Sequence, residues 1–182
     1  MLEKKNINIY KSYDILMLIR NPYERLVSGF LNKYVGKNPE YKNPPNCNCF
    51  YDFCNILERN PEKIDRHHFQ NQTSDKGWKF YNELGKPKIK YLIETPDVNN
   101  VSKILGLNIN ELKENSSSSS SSSRNIAEEK EINLWKKKYN YFRKNQIKSY
   151  SMFYNNELKN LVYKIYENDF LFFNSLNINY TI

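Results

Sequence analysis

No stretch of this sequence approaches the roughly 18 consecutive apolar residues that a membrane-spanning helix needs. Its opening decapeptide, M-L-E-K-K-N-I-N-I-Y, also lacks the apolar core of a secretory signal. As written, the chain reads as soluble and not self-targeted, cytoplasmic by default. Cysteine is sparse: Cys47, Cys49 and Cys54 are an odd number and cannot make a closed disulfide framework. Glycine is scarcer than usual, 5 in 182 residues, while Asn and Lys are heavily used, a bias that an AT-rich genome would produce without structural demand. Acidic residues are outnumbered, 20 against 28 Lys and Arg, leaving a net charge of +8. That charge favours anionic partners, whether nucleotide, acidic or sulfated glycan, nucleic acid or membrane surface, and it is equally consistent with lysines spread over solvated faces.

Aromatics are plentiful. They make up 15% of the chain, with 15 Tyr and 10 Phe. That load argues for a packed core despite a mean hydropathy of −0.82. At 182 residues the chain is long enough for one domain.

The most informative stretch is Asp14 to Val35, D-I-L-M-L-I-R-N-P-Y-E-R-L-V-S-G-F-L-N-K-Y-V. Ile15 to Ile19 is a short apolar run suited to a strand buried on both faces. It ends in Arg20, and Asn21-Pro22 follows; proline fixes φ near the helical value and has no N–H to lose at a first helical position. Leu26, Val27, Phe30, Leu31 and Tyr34 then recur at helical spacing. Strand, tight turn and helix, with a guanidinium leaving the strand end, make an anion site, because helix dipole and Arg20 attract the same negative group.

The run R-N-P-Y-E-R-L-V-S resembles the 3′-phosphate-binding motif of sulfotransferases that use 3′-phosphoadenylyl sulfate (PAPS), closest to their carbohydrate, Golgi-type branch with its pattern R-[DN]-P-[FY]-x-R-[LI]-x-S. The resemblance implies that Arg20 and Ser28 hold the nucleotide's 3′-phosphate, with Arg25 assisting or pairing with an acid such as Glu24. It also implies a Golgi lumen or membrane setting as the alternative to the cytoplasm. In that family a phosphate-binding loop with Lys and Ser/Thr follows the first strand and holds the 5′-phosphosulfate. Only 19 residues precede Arg20, and they contain no such loop. Against the family's fold the chain reads as N-terminally truncated: either it is a fragment, or its reading frame starts further upstream, or the protein has lost half of the donor site. Weak nucleotide binding and poor transfer are expected of it as written.

Further along, residues 36 to 49 are turn-rich and read as a loop. C-x-C-x4-C invites a metal reading with His67 or His68 as fourth ligand, but zinc sites usually use C-x2-C pairs. A loop dithiol and a core Cys54 explain the residues as well, and no metal is expected. Phe50, Phe53, Cys54 and Leu57 predict a helix over 50–57. D-R-H-H-F-Q-N-Q-T resembles the H-[WF]-x-P-Q-T element of the same branch, matching at His68, Phe69, Gln72 and Thr73, with Asn71 in place of Pro. His68 is the candidate catalytic residue on that resemblance, as an acceptor contact more than as general base. Lys88 to Glu94 reads as a second strand, and Thr95-Pro96-Asp97 as the start of a helix ending at Gly106. Glu94 matches a recurrent acidic position of the family.

Asn115 and the eight serines after it are low complexity, so residues 113–125 read as a flexible loop inside the domain. L-K-E-N-S partly resembles the family's L-P-x-x-N-x-S, which implies nucleotide contact by Asn115 and Ser117. From Ile126 the pattern predicts a helix with Leu134, Trp135 and Tyr139 on one face, beside Lys136, Lys137 and Lys138. Leu158, Leu161, Val162, Ile165 and Tyr166 predict an amphipathic helix ending near Asn168; its Y-x3-E-L to D-F pattern resembles the family's C-terminal helix.

Two strand–helix units predict an α/β fold, and the resemblance makes it a single sulfotransferase-like domain over 1–182: three layers, α/β/α, with a parallel sheet as in the P-loop nucleotide kinases. The function implied is transfer of a sulfonyl group from PAPS to a hydroxyl, on a glycan acceptor by that resemblance, with no metal. The alternatives are a non-catalytic remnant that binds nucleotide or glycan, and a basic nucleic-acid-binding protein. Most aromatics fall at helical-face spacing, which marks core rather than a stacking platform, so no nucleic acid is expected.

Overall fold

A computed structural model describes residues 14–35, 46–64, 66–74, 76–85, 89–94, 103, 133–145, 147 and 149–182. The chain forms two compact units, one from Met1–Arg20 with Tyr81–Lys130 and the other from Asn21–Phe80 with Glu131–Ile182.

In the first unit, strand β1 (Ile15–Ile19) pairs in parallel with β2 (Ile89–Glu94). Leu16 lies beside Tyr91 and Ile19 beside Glu94, with a register irregularity between Ile15 and Leu16. A parallel pair needs a crossover between its strands, so this is α/β architecture, as the sequence predicts. Among the described residues the sheet has these two strands and the rest is mostly helical. β1 is not buried on both faces: Ile19 is buried but Leu18 is 50% exposed. Leu18 and Ile19 are neighbours in a strand and so point to opposite faces, and the face at Leu18 is the open one. The predicted helix from Thr95 to Gly106, like Asn115, the serine run and residues 126–132, lies outside the described residues apart from Lys103.

The second unit is helical around an aromatic core. Helix α1 (Pro22–Phe30) begins where the sequence places it: Asn21 caps it, its Oδ1 accepting from the Tyr23 amide at 3.0 Å, and Pro22 takes the first turn. Leu31–Val35 continues it as a π turn that buries Tyr34 and Val35. Tyr23, Leu26, Val27 and Phe30 face inward. The Phe30 ring meets Phe50 and Phe53 at 5.2 Å each, Tyr139 at 5.5 Å and Phe142 at 6.2 Å, all tilted or edge-on. Such geometries set the positive ring edge against the negative face.

Phe50 and Phe53 come from α2 (Phe50–Arg59), two residues longer than predicted. A short α3 (Arg66–Phe69) and α4 (Lys76–Glu83) follow. The helix predicted from Ile126 is, where described, a 3₁₀ turn at Leu134–Lys136, an extended pair, and a short α5 (Tyr139–Lys144). Lys137 and Lys138 adopt extended backbone angles there, and the Lys136 and Lys137 ammonium groups settle over the Trp135 and Tyr141 rings.

The C-terminal helix is also two helices, α6 (Asn156–Ile165) and α7 (Glu167–Ser175), and it runs past Asn168. Tyr166 leaves helical geometry at φ −110° and ψ 26°. Beyond the corner Asp169 is completely buried while Leu171 is 55% exposed. That inverts the polarity by which a helix face is read from sequence.

Candidate functional site

Of the motif residues, Arg20 follows the last residue of β1 and is half-buried. Ser28 sits two-thirds along α1, also half-buried. No hydrogen bond engages the Ser28 hydroxyl among the described residues. Serine in mid-helix commonly turns back onto the carbonyl four residues before it; here the donor stays uncommitted. The residue after it is Gly29, and the reason is steric. A Cβ there would lie 2.8 Å from Phe69 Cε1, so the ring lies flush on the helix backbone.

Phe69 belongs to the segment carrying the second motif, Arg66–Ser74, which straps across α1. Its ring is enclosed by Tyr34 at 5.9 Å and Phe53 at 5.0 Å. The backbone beyond it is taken up by side chains from distant parts of the chain. The Tyr166 hydroxyl donates to the Phe69 carbonyl at 2.9 Å, and Arg25 Nη1 donates to the Gln70 carbonyl at 2.7 Å. Burial raises the Tyr166 phenol well above its ordinary range, against the opposing pull of the Arg25 charge, so it stays a donor. The Asp169 carboxylate accepts from the Gln72 amide at 2.8 Å, the Thr73 amide at 2.8 Å and the Thr73 hydroxyl at 2.9 Å. A fully buried carboxylate needs such donors in place of water.

Arg25 is thus engaged inside the protein, over the Tyr166 ring at 5.9 Å, and its hydrogen bond goes to a backbone carbonyl rather than to Glu24. His68, half-buried, is the strap residue next to Phe69. Arg25, Ser28 and His68 lie in the second unit and Arg20 in the first; Asn115 and Ser117 lie outside the described residues.

Beside the strap opens a cavity of about 390 Å³, lined by Leu57, Pro61, Phe69 and Asn71 and rimmed by an ion pair in which Lys164 Nζ stands 2.7 Å from Glu58 Oε1. Its volume falls within the ~300–1,000 Å³ of small-molecule sites.

The cysteines play no visible part in this arrangement. Cys54 is wholly buried in the core, and the Cys47 sulfur lies 2.8 Å from the Tyr139 hydroxyl. Burial pushes the Cys47 thiol up to about 11, the Tyr139 contact opposing it, and raises Cys54 as well. Neither is a ready thiolate nucleophile. Among the described residues no group of His, Cys, Asp and Glu could hold a metal ion.

The residue the sequence reading missed is Asp169. A signal was there: one acid inside N-D-F-L-F-F, where an unpaired charge has no business among aromatic side chains.

Compared with known proteins, residues 2–175 match the model of the Sulfotransferase family. No curated protein and no solved structure matches the chain.

Proposed function

The chain belongs to the sulfotransferase family, and from that premise we propose that it moves a sulfonyl group from PAPS to a carbohydrate hydroxyl, on a three-layer α/β/α fold of the nucleotide-kinase kind. The observation that carries the reading is the motif from Arg20 to Ser28 inside the matched span, with the Ser28 hydroxyl uncommitted on the helix that follows Arg20.

In this reading Arg20 and Ser28 are the nucleotide contacts. Guanidinium N–H groups and the hydroxyl donate to the 3′-phosphate oxygens, and charge assistance makes these the stronger class of hydrogen bond. PAPS itself supplies the sulfonyl group and an anionic leaving nucleotide. The 5′ end of such a donor calls for a further set of backbone N–H groups and a lysine, of the kind a phosphate-binding loop brings. Asn115 and Ser117 are additional nucleotide contacts in the same reading. His68 contacts the acceptor. The protein's work is positioning and stabilising negative charge where it develops, since the displacement itself asks little covalent chemistry of the side chains.

The glycan acceptor is supported by the basic charge of the chain and by the cavity beside the strap. Binding of nucleic acid finds less support, because the rings of Phe30, Phe50, Phe53, Phe142 and Phe153 are buried against one another rather than displayed. No helix among the described residues is long and apolar enough to cross a membrane.

Titration calorimetry with adenosine 3′,5′-bisphosphate tests the reading. The parent chain binds it, and Arg20→Ala weakens binding by about 2–3 kcal/mol, the range for a lost hydrogen bond to a charged group. Equal affinity in parent and variant overturns the assignment.

A further inference from the structure

The strap bearing His68 has no strand pairing and only single helical turns among its described residues, yet side chains from elsewhere in the chain hold four of its backbone groups between Phe69 and Thr73. Tyr166 holds the Phe69 carbonyl, Arg25 the Gln70 carbonyl, and Asp169 both the Gln72 and Thr73 amides. Asn71 answers by donating its Nδ2 to the Ile165 carbonyl at 3.4 Å. These partners come from α1 and from the corner between α6 and α7. They meet at a segment whose Phe69 ring already rests on Gly29, the neighbour of Ser28.

We propose that Arg25 and Asp169 are positioning residues for sulfonyl transfer, fixing the strap so that His68 keeps one setting relative to Ser28. The proposal rests on the transferase reading above. Two physical points carry it. First, a short segment without regular hydrogen bonding opens locally at little cost unless tertiary contacts hold it, and here charged or buried side chains supply those contacts. Second, the reaction depends on placement, and a reactive group about 1 Å out of place loses on the order of a hundredfold in rate. Arg25 therefore serves the site through the strap and not through the nucleotide, although it lies in the same motif as Ser28. Its guanidinium is spent on the Gln70 carbonyl, and the Tyr166 ring beneath it is itself tied to Phe69.

The test compares Thr73→Val with Thr73→Ser in the full chain. Valine deletes the hydroxyl that donates to Asp169 and serine restores it. Three readouts are taken: amide exchange at residues 69–73, affinity for adenosine 3′,5′-bisphosphate, and the shift of the His68 ring signal on adding that nucleotide. In Thr73→Val, exchange at 69–73 rises about tenfold, as loss of one hydrogen bond to a charged group implies, and the His68 response collapses. Nucleotide affinity stays at the parental level, and Thr73→Ser behaves as the parent on all three. Uniformly faster exchange along the chain, or a His68 response that survives in Thr73→Val, overturns the proposal. Should Thr73→Val fail to fold, Arg25→Met set against Arg25→Lys carries the same comparison at the Gln70 carbonyl. Failure of the parent to bind nucleotide overturns the transferase reading itself, and is told apart because it appears before any substitution is made.

Discussion

Helix α1 satisfies its backbone within its own turns, its cap included, and buries a face set by residues three and four apart. The strap at residues 66–74 lies against that helix and does the opposite. Its amides are held by a carboxylate 96 and 97 positions further along the chain, and its anchor ring fills a gap that exists because residue 29 has no side chain. Both segments carry motif residues of the candidate site. The helix is built by local rules; the strap exists only where the rest of the unit puts it.

Four substitutions separate the two cases. The largest effect is expected at the point both depend on. Phe30 is fully buried among four other rings, and Phe30→Ala removes their common partner. It should cost about 3–5 kcal/mol in denaturant unfolding, the range for deleting a core aromatic. A cost near zero would mean that helix and strap do not share this core.

Next comes Asp169→Ala, which strands the Gln72 and Thr73 amides and the Thr73 hydroxyl. Leaving such groups unpaired costs roughly 2–4 kcal/mol in total. The comparison sharpens if proteolysis or amide exchange reports the damage first at 69–73 and last in α1.

Gly29→Ala reverses the direction of attack, changing the helix to disturb the strap. The added methyl meets the Phe69 ring, which Tyr34 and Phe53 pack against. Alanine ordinarily favours a helix interior, yet overpacking at about 1–3 kcal/mol should outweigh that gain. A stabilised variant would show that Phe69 can move aside.

The smallest effect is expected at the cap. Asn21→Ala removes the Oδ1 that accepts from the Tyr23 amide, together with an exposed Nδ2 contact to the Thr181 carbonyl at 3.1 Å, and should cost ~1 kcal/mol. Exchange in the strap should stay at its parental rate. Loosening of 69–73 by this variant would break the contrast between the two segments.

The legible half follows from short-range physics. The apolar run of β1, the Asn-Pro start of α1, its inward face, the α2 face through Phe50 and Phe53, and the second strand ending at Glu94 all stand where the pattern puts them. Each is fixed by neighbours one to four residues away in sequence. The family was legible for a related reason: the motif from Arg20 to Ser28 keeps fixed offsets across one strand end and one helix, and residues 2–175 match the family.

What only the tertiary structure decided is where side chains far apart in sequence meet. Asp169 lies on a helix and yet is buried beyond the corner at Tyr166, where its carboxylate accepts from the amides of Gln72 and Thr73 in place of water. Arg25 sits at a motif position beside Ser28, and its destination is the Gln70 carbonyl, 45 residues on. In each case the deciding quantity is the cost of leaving a polar or charged group dry and unpaired, and that cost is set by which groups the folded chain brings within about 3 Å of one another.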